Sequence, residues 1–568
     1  GVRSGLIYKG MQFSVPSPDK PAHFEKGDEI ILPLGIYYDD CTGIEEFFEL
    51  FVKYRENYHK NEIINDLPLS VSFEKIKDKY NKWNWFSPKN YYRVGISKSE
   101  TEGMNNAWQT GWVGGGMVTE SFLVDGDKET RDRAAANLRF IFTELSAPSG
   151  FIYGAYDGKR PVSDCFGEPH PYNMMLIRKS ADILYFMMKQ LPLLEERDYN
   201  IDYKENIQKL AQAFCDLWKK YGQFGQFIDA ETGEILIGNS LSAGSAIGGL
   251  ALAYEYFGDE EYKKTAIESC DYYYRNYTQK GITNGGPGEI FGACDSESAG
   301  GILESYITMF NVFGDMKYID YATSAANQLL SWVMNYDFAF PKQSLFGRWN
   351  VKTSGSCFAN VQNKHSAPGF CTLSGDSLFE LYRITKNEIY LNAIRDTAHN
   401  ITQYLITEQK QKIAPDTAGM ITDTMNERVE TSDWLEPLGE IFDGSCWCEA
   451  SDCLTYSEIP GLYIDKKNDI ICMIDHAEVK KVLKNEKWQI ELFNPTDYDM
   501  TLKIFSENKN YRGAPKSLSD SETNRGLQKI EHSEIFRSGF RGGKYRVDYL
   551  KDFEKINIKS KETATIEI

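Results

Sequence analysis

The sequence predicts a mainly α-helical protein, an (α/α)6 toroid of six helical hairpins with an N-terminal β-region and a C-terminal β-sandwich. Charged, amphipathic helical patterns alternate strictly with patterns of small, nearly uncharged residues, which indicates exposed outer helices and buried inner helices. Most inner patterns pass through a very short turn, such as FLVDGDKE or YEYFGDEE, into the next outer pattern, so that the two form an antiparallel hairpin. Near Tyr463 the apolar period returns to two residues, which is typical of strands.

These patterns divide the chain into three segments. Residues 1–40 alternate polar and apolar side chains, and GDEIILPLGIYY at 27–38 is expected to form strands. This segment is an N-terminal β-region, or the end of a larger domain. Residues 41–465 are expected to form the toroid and to carry catalysis. Residues 466–568, with strand patterns such as WQIELF and MTLKIF, are expected to form the C-terminal β-sandwich.

The helical segment should contain six outer and six inner helices. The outer helices are expected at 44–60, 127–146, 202–221, 259–276, 315–335 and 387–409. The inner helices are expected at 110–125, 173–191, 241–257, 297–313, 374–386 and 447–461. Such hairpins either close into a ring or stack in an open row like a helical-repeat solenoid. We favour closure, because the inner helices lack the charged face that an open row would expose.

The bulk composition narrows the classes of function. The 568 residues carry a net charge of −19, which disfavours nucleic acids and anionic membranes as partners. No apolar run reaches the roughly 18 residues of a membrane-spanning helix. Gly1 opens directly into strand-like sequence, so we expect either that a leader or a larger N-terminal piece has been removed or that the protein is cytosolic. Aromatic residues make up 14% of the chain. Their flat faces stack on sugar rings, which favours a carbohydrate-active protein about as much as an aromatic core.

The long connections of the predicted toroid all run from an outer helix to the next inner helix. They span 86–109, 147–172, 222–240, 277–296, 336–373 and 410–446. All of them end at the N-terminal ends of inner helices, so they should meet on one face of the ring, here called the loop face. Long loops on a rigid scaffold usually carry function, and these loops concentrate acidic and aromatic residues. The loop face is therefore the predicted site.

Carboxylates on the loop face are the candidate catalytic groups, because glycosidic cleavage needs one acid to protonate the leaving oxygen and a second carboxylate to activate water or attack the sugar. The first choice lies in IFGACDSESAGGILESY at 290–306, where acidic residues precede an inner helix. The candidates are Asp295, Glu297, Asp157, Glu102 and Asp164. Each has a structural alternative: a helix cap for Asp295, a helix-dipole contact for Glu297, and a turn for Asp157 in YGAYDGK.

Aromatic, amide and basic residues of the same loops are the candidate substrate contacts. Arg348 is expected to pair with a uronate and Trp349 to stack on a sugar ring. The full set is Trp108, Tyr153, Tyr156, His170, Asn239, Arg348, Trp349, His365, Asp433 and Trp434. For Asp433, beside Trp434 in TSDWLEP, the alternative is an ordinary solvated loop.

The eleven cysteines do not have the density of a disulfide framework. Those on the loop face or its edge are Cys165, Cys294, Cys357, Cys371, Cys446 and Cys448. Three or four thiolates with a histidine or glutamate can hold zinc, but Cys-Trp-Cys is not the usual pair with a two-residue gap. We favour separate buried thiols or one disulfide, and expect neither a metal nor a cofactor.

Taken together, the alternation of six hairpins, the flanking β segments and the acidic, aromatic loop face resemble the six-hairpin glycosidase superfamily over about residues 40–465. The resemblance is architectural, because no catalytic motif identifies one member family. It implies glycoside hydrolysis, although the same fold also hosts polysaccharide lyases and sugar epimerases.

The function expected from the sequence is hydrolysis of a glycosidic bond in a polysaccharide or oligosaccharide. Both neutral and uronate-containing substrates are compatible with this expectation. One alternative is a polysaccharide lyase that uses Tyr153, Tyr156 or His170 as base and Asn105 or Asn106 to neutralise a uronate. A second alternative is a glycan-binding protein without catalysis. The expected partner is a carbohydrate, and this substrate class suggests a periplasmic or extracellular location in a bacterium.

Overall fold

The structure, a computed structural model, describes residues 22–56, 63–94, 108–111, 115–162, 173–288, 292–361, 365–425, 428–429, 431, 438–441, 447–484, 487–507 and 553–568, and the main chain at 6–7 and 11–12. The helices are Ile44–Glu56 (α1), Leu69–Lys79 (α2), Val118–Asp125 (α3), Lys128–Glu144 (α4), Ile177–Glu196 (α5), Lys204–Tyr221 (α6), Gly244–Phe257 (α7), Glu260–Asn276 (α8), Ser296–Phe313 (α9), Lys317–Trp332 (α10), Leu345–Trp349 (α11), Asp376–Thr385 (α12), Glu388–Ile401 (α13), Glu408–Ile413 (α14) and Trp447–Glu458 (α15). None of these helices combines the length and the apolar character needed to cross a lipid bilayer.

Short strands decorate the helices, and longer ones follow them. The strands are Leu6–Ile7 (β1), Met11–Gln12 (β2), Trp85–Phe86 (β3), Tyr91–Tyr92 (β4), Trp108–Gln109 (β5), Ala155–Tyr156 (β6), Pro161–Val162 (β7), Met174–Leu176 (β8), Phe227–Asp229 (β9), Ile235–Ile237 (β10), Cys357–Phe358 (β11), Ser366–Ala367 (β12), Leu462–Asp465 (β13), Ile470–Met473 (β14), Glu478–Lys484 (β15), Trp488–Phe493 (β16), Met500–Ser506 (β17), Glu554–Ile558 (β18) and Thr563–Glu567 (β19). They pair as β1-β2, β3-β4, β5-β6-β7, β10-β9-β8, β11-β12, β14-β13-β17-β18 and β15-β16-β19.

Twelve of the described helices form a closed double ring. The inner helices follow one another around the ring in the order α3, α5, α7, α9, α12 and α15. Their outer partners are α4, α6, α8, α10, α13 and α2. The ring closes where α15 packs against α3 and α2, and where the Ser451 hydroxyl donates to the Leu373 carbonyl just before α12, at 2.6 Å. The predicted (α/α)6 toroid is confirmed.

Small residues let the inner helices approach one another closely. The α7 sequence, GSAIGGLALAYEYF, is buried along nearly its whole length. A Cβ atom added at Gly249 would lie 2.8 Å from Leu184 Cγ on α5, so only glycine fits there. Gly258 (φ +77°) then ends α7, and the Asp259 side chain accepts from the N–H of Glu261 at 2.9 Å to begin α8. The outer helices differ, because α6 buries one apolar stripe and exposes its lysines.

The first outer helix of the ring is not the one expected. The predicted helix at 44–60 exists over its described part as α1, but α1 packs outside the ring against α10. Its place is taken by α2, which pairs with α15. Helix α2 buries Leu69, Phe73 and Ile76, which lie on one face of the helix. The helix has only 11 residues, so its apolar period is difficult to recognise in the sequence.

The strands expected at 27–38 are not observed. Residues 29–41 run without strand pairing, and the apolar side chains of 30–38 are exposed to solvent. Pro33 lacks an N–H donor, and no strand among the described residues lies beside this segment. An N-terminal β hairpin is present further upstream, where β1 and β2 pair with Leu6 opposite Gln12.

Two sheets follow the toroid. In the first, β13 runs parallel to β17, with Leu462 opposite Ile504, and in the second β16 lies between β15 and β19. Apolar side chains from both sheets join one buried cluster, for example Ile464 and Ile490. Strands in the C-terminal region are thus confirmed. A sandwich spanning 466–568 and the boundary at 465 stay predictions, because residues 508–552 lie outside the described part of the chain.

Candidate active site

Asp295 begins α9 at the loop face and is held by three donors. Its Oδ1 accepts from the N–H of Ser298 at 2.6 Å, and its Oδ2 accepts from the Ser298 hydroxyl at 3.0 Å. The N–H of Gly286 also donates to Oδ2, at 3.1 Å. A Cβ atom at Gly286 would lie 2.7 Å from Asp295 Oδ1, so glycine permits this approach. Asp295 is therefore the helix cap that the sequence allowed, and its carboxyl is fixed in place.

Glu297, two residues further, belongs to a buried charged network that joins three inner helices. Arg178, in the first turn of α5, donates through Nη1 to Glu297 Oε2 and through Nε to Asp182 Oδ2, the latter at 3.1 Å. The hydroxyl of Ser245 on α7 donates to Asp182 Oδ1 at 2.7 Å. Arg178 Nη2 donates to the Thr372 hydroxyl at 3.2 Å. The side chains from α5, α7 and α9 thus form one hydrogen-bonded unit, here called the Arg178 network.

Burial dominates the electrostatics at this point. Burial, aided by the neighbouring Glu297 charge, raises the pKa of Asp295 to about 7. Burial alone would lower the pKa of Arg178, but the carboxylates of Glu297 and Asp182 outweigh it and raise that pKa. The site therefore combines a carboxyl group that holds its proton near neutral pH with an ion pair beside it.

A buried thiol lies beside the first residue of α9, and main-chain hydrogen bonds connect that residue to the segment carrying His365. The Ser296 hydroxyl is 3.6 Å from Cys371 Sγ, and Cys371 has the left-handed φ of +61°. The Ser296 N–H donates to the Ala359 carbonyl, and the Ala359 N–H donates to the His365 carbonyl, both at 3.0 Å. The cysteines in the described residues are free thiols. Within the same residues, no group of three His, Cys, Asp or Glu side chains is arranged to hold a metal ion.

A second charged cluster lies deeper in the ring, two turns further along α9. Lys189 on α5 contacts Glu458 on α15 and lies 3.1 Å from Glu120 Oε1 on α3. Glu304 on α9 accepts from the hydroxyl of Tyr185 at 2.9 Å. Burial raises the pKa of Glu120 to about 8 and that of Glu304 to about 7. The interior of the ring is thus acidic and holds protons at neutral pH.

The residues predicted on the second long loop take structural roles. Asp157 lies in the exposed turn between β6 and β7, where its Oδ1 accepts from the N–H groups of Lys159 and Arg160 at 2.8 and 2.9 Å. Partial burial opposes these donors, but together they lower the pKa of Asp157. Tyr153 is buried and donates its hydroxyl to Glu231. Tyr156 is buried with its ring against Tyr91 and Phe140.

Other predicted residues lie at different parts of the surface or beside α9. Asn239 has φ +59°, and its N–H donates to Gln223 Oε1 at 2.7 Å. Arg348 forms a bidentate pair with Asp416, both bonds 2.7 Å, and Trp349 Nε1 donates to the Lys410 carbonyl at 3.0 Å. His365 is the exception, since it lies two main-chain hydrogen bonds from α9. Its Nδ1 donates to the Ser366 carbonyl at 3.0 Å, and burial lowers its pKa to about 3, so it is neutral.

The remaining predicted residues are not placed. Trp108 is described by its main chain alone, which pairs with Tyr156 in the β5-β6 ladder. Lying outside the described residues are Glu102, Asp164, His170, Asp433 and Trp434.

Five charged residues of the inner helices were not predicted as site residues from the sequence: Arg178, Asp182, Glu120, Lys189 and Glu304. These residues lie within patterns classified as apolar inner helices. A signal was present, because a charge inside a nearly uncharged buried helix must be paired in the folded protein, and Arg178 and Asp182 have the i, i+4 spacing of such a pair.

No protein-family model matches this sequence, and no curated protein matches it. Solved structures resemble it in fold at 10–13% sequence identity. A cellobiose 2-epimerase from Bacillus thermoamylovorans is 12% identical (TM-score 0.46; 72% of this chain, 99% of that one). A family 76 glycoside hydrolase from Bacteroides thetaiotaomicron is 13% identical (0.45; 68% and 76%). An unsaturated glucuronyl hydrolase from Streptococcus agalactiae is 10% identical (0.44; 72% and 95%). We therefore infer function from the side chains of this chain alone.

Proposed function

We propose that this chain is a glycoside hydrolase that cleaves a bond in a polysaccharide or oligosaccharide at the loop face, with Asp295 and Glu297 as its carboxyl pair. The observation that carries the proposal is the placement of both groups at the start of α9, beside Arg178. With this function we propose a periplasmic or extracellular bacterial location, where such substrates are degraded.

The two carboxyl groups have environments suited to different roles. Asp295 has a pKa of about 7, raised by burial and by Glu297, so it carries a proton near neutral pH, as a general acid for the glycosidic oxygen must. Glu297, hydrogen-bonded to Arg178, is the second carboxylate, which activates water or attacks the sugar. Three donors hold the Asp295 carboxyl and the Arg178 network holds that of Glu297, so both groups have defined positions.

The test is turnover of a panel of neutral and uronate-containing polysaccharides, followed by release of reducing ends. Glu297→Gln and Asp295→Asn should each lower kcat by about 10²- to 10⁴-fold with the fold intact by circular dichroism. Asp157→Asn is the matched control and should retain turnover, because its carboxylate is engaged in an exposed turn.

Three results would contradict the proposal. If the Glu297→Gln variant turned over substrate at the wild-type rate, the assignment of Asp295 and Glu297 as the catalytic carboxyl pair would be wrong. An unsaturated product, detected by its ultraviolet absorbance, would identify a lyase. Binding without turnover on every glycan of the panel would identify a glycan-binding protein.

A further inference from the structure

A pocket of about 560 Å³ opens on the outer wall of the ring, where residues 37–41, α1 and the end of α10 meet. Its volume is within the range of small-ligand sites, roughly 300–1,000 Å³. The residues that line it and matter here are Tyr37, Asp39, Phe47, Tyr54, Arg55 and Tyr336. None of them belongs to the Arg178 network, so this is a second site.

The walls of the pocket are aromatic and open. Tyr37 is 48% exposed, Phe47 51% and Tyr336 59%, which is unusual for side chains of this size. The Tyr37 and Tyr54 rings lie 4.8 Å apart between centroids. The Tyr54 hydroxyl donates to Asp39 Oδ2 at 2.6 Å, which holds a carboxylate at the rim. Aromatic faces beside hydroxyl and carboxylate groups suit a ligand with both an apolar face and hydroxyls.

A buried cation lines the same pocket. Arg55 is only 8% exposed, and its Nη1 donates to the Leu330 carbonyl. Its Nε is shielded from solvent and has no hydrogen-bond partner, and among the described residues no ion pair joins its guanidinium to a carboxylate. Burial lowers the pKa of Arg55, and the more distant charges of Glu56 and Asp396 oppose that effect. A buried guanidinium without a paired carboxylate is stabilised when an anion approaches it from the pocket.

We propose that this pocket binds a uronate residue of a glycan, with the sugar carboxylate on Arg55 and the ring against the aromatic walls. The choice of a sugar, rather than another anion with an apolar face, rests on the proposed function. A guanidinium forms charge-assisted hydrogen bonds with a carboxylate, which are stronger than those with a neutral sugar hydroxyl.

The position of the pocket links it to the candidate active site. Tyr336 follows the end of α10 that faces the long loops, and Val333 forms an isolated bridge with Cys357 in β11. Two residues beyond Cys357, the Ala359 carbonyl accepts from the N–H of Ser296 at 3.0 Å, next to Asp295. Main-chain pairing through β11 therefore connects the segment that carries Tyr336 to the start of α9.

The experiment is calorimetric binding of a glucuronate-containing oligosaccharide and of the same oligosaccharide after reduction of its carboxyl groups. All variants carry Glu297→Gln, so that the ligand stays intact. The acidic ligand should bind the parent protein more tightly than the reduced ligand. Tyr37→Ala and Tyr336→Ala should each weaken binding about 2- to 10-fold, and Arg55→Gln about 10- to 100-fold for the acidic ligand alone.

Matched controls separate the pocket from its surroundings. Tyr38→Ala removes a neighbouring ring that does not line the pocket and should leave binding unchanged. Arg55→Lys keeps a charge in case Arg55→Gln fails to fold, and should preserve part of the preference for the acidic ligand. Since Tyr336 is largely exposed, its variant is expected to fold normally.

The proposal is overturned if the acidic and reduced ligands bind equally, or if Tyr37→Ala and Tyr336→Ala bind as the parent does. These outcomes are independent of the proposed hydrolysis, because turnover is measured on protein with Glu297 restored. If the pocket variants lose binding and the restored protein shows no turnover, the uronate pocket is supported and the proposed hydrolase activity is contradicted. If the restored protein turns over substrate and the pocket variants bind as the parent does, the hydrolase activity is supported and the uronate pocket is contradicted.

Discussion

Arg178 on α5 donates a hydrogen bond to Glu297 on α9, although α7 lies between these two helices in the ring. The same guanidinium holds Asp182, which in turn accepts from Ser245 on α7. One cation therefore ties the N-terminal ends of three consecutive inner helices together at the loop face. Its positive charge also balances the negative charge of the Glu297 carboxylate, which is proposed to act on the substrate.

Removing this cation should destabilise the protein strongly. Arg178→Met leaves Glu297 and Asp182 buried without their partner, which is expected to lower the free energy of unfolding by about 3–5 kcal/mol. Arg348→Ala is the control, since it breaks an exposed bidentate pair with Asp416 and should cost roughly 1 kcal/mol or less. Denaturant titration followed by circular dichroism measures both, and equal losses in the two variants would contradict the structural role of Arg178.

Activity should fall on the alkaline side of neutrality. Asp295 has a raised pKa of about 7, so the proton required of a general acid is lost as the pH rises through that value. We expect kcat/KM to decrease above pH 7, approaching tenfold per pH unit. The control Asp157→Asn should keep this limb of the profile, whereas the residual activity of Asp295→Asn should lack it. An identical alkaline limb in Asp295→Asn would assign the titration to another group.

The sequence was sufficient for the ring but not for its first member. An outer helix needs a charged face toward solvent and an inner helix does not, so the residue pattern of each helix records whether it is exposed or buried. Helices α1 and α2 are both amphipathic, and what separates them is the partner each one meets, α10 outside the ring or α15 within it. The packing partner of a helix cannot be read from the apolar period of its own sequence.

The site could be predicted in part for a similar reason. Asp295 and Glu297 were identifiable because capping residues and helix starts have local signatures. The Arg178–Asp182 pair has a local signature in its i, i+4 spacing, but the contact between Arg178 and Glu297 has none, because the two residues are 119 positions apart in the chain. The exposed aromatic pocket around Arg55 depends on three separate segments and could not be assembled from any one of them.

Buried Asp452 should make stability depend on pH. Burial raises its pKa from 3.8 to about 7, so its stabilising contribution is complete below pH 3.8 and is lost as the pH rises toward 7. Asp452→Asn keeps an acceptor for the Ser72 hydroxyl but does not ionise. Relative to the parent, this variant should gain up to about 1.4 kcal/mol per pH unit between pH 5 and 7, and no more above pH 7.

Unfolding free energies at pH 5, 6, 7 and 8 for the two proteins measure that difference. The comparison removes the opposing contributions of His365 and His399, whose pKa burial lowers to about 3. A difference that does not change with pH would mean that Asp452 is ionised in the folded protein.

Thiol reactivity should follow burial. Cys41 is exposed, whereas Cys270 and Cys453 are buried, and burial raises the pKa of both buried thiols well above its usual value. A short pulse of iodoacetamide on the native protein should modify Cys41 and spare Cys270 and Cys453, as peptide mass spectrometry can determine. In denaturant all three should react, and equal labelling of Cys270 and Cys41 in the native protein would contradict the packing of α8.

Two glycines of the inner ring should respond to alanine in opposite directions. At Gly249 on α7, an added Cβ would lie 2.8 Å from Leu184 Cγ and 3.0 Å from the Tyr185 nitrogen, so Gly249→Ala should lower the unfolding free energy by about 1–3 kcal/mol. At Gly301 on α9 the added Cβ meets nothing within 4 Å, so Gly301→Ala should raise it by roughly 0.5–1 kcal/mol through higher helix propensity. Thermal or denaturant unfolding of the two variants compares them directly. Because both sites are interior helical glycines, no loss of stability at Gly249 would contradict the close contact between α5 and α7, and a loss at Gly301 would contradict the open space beside that residue.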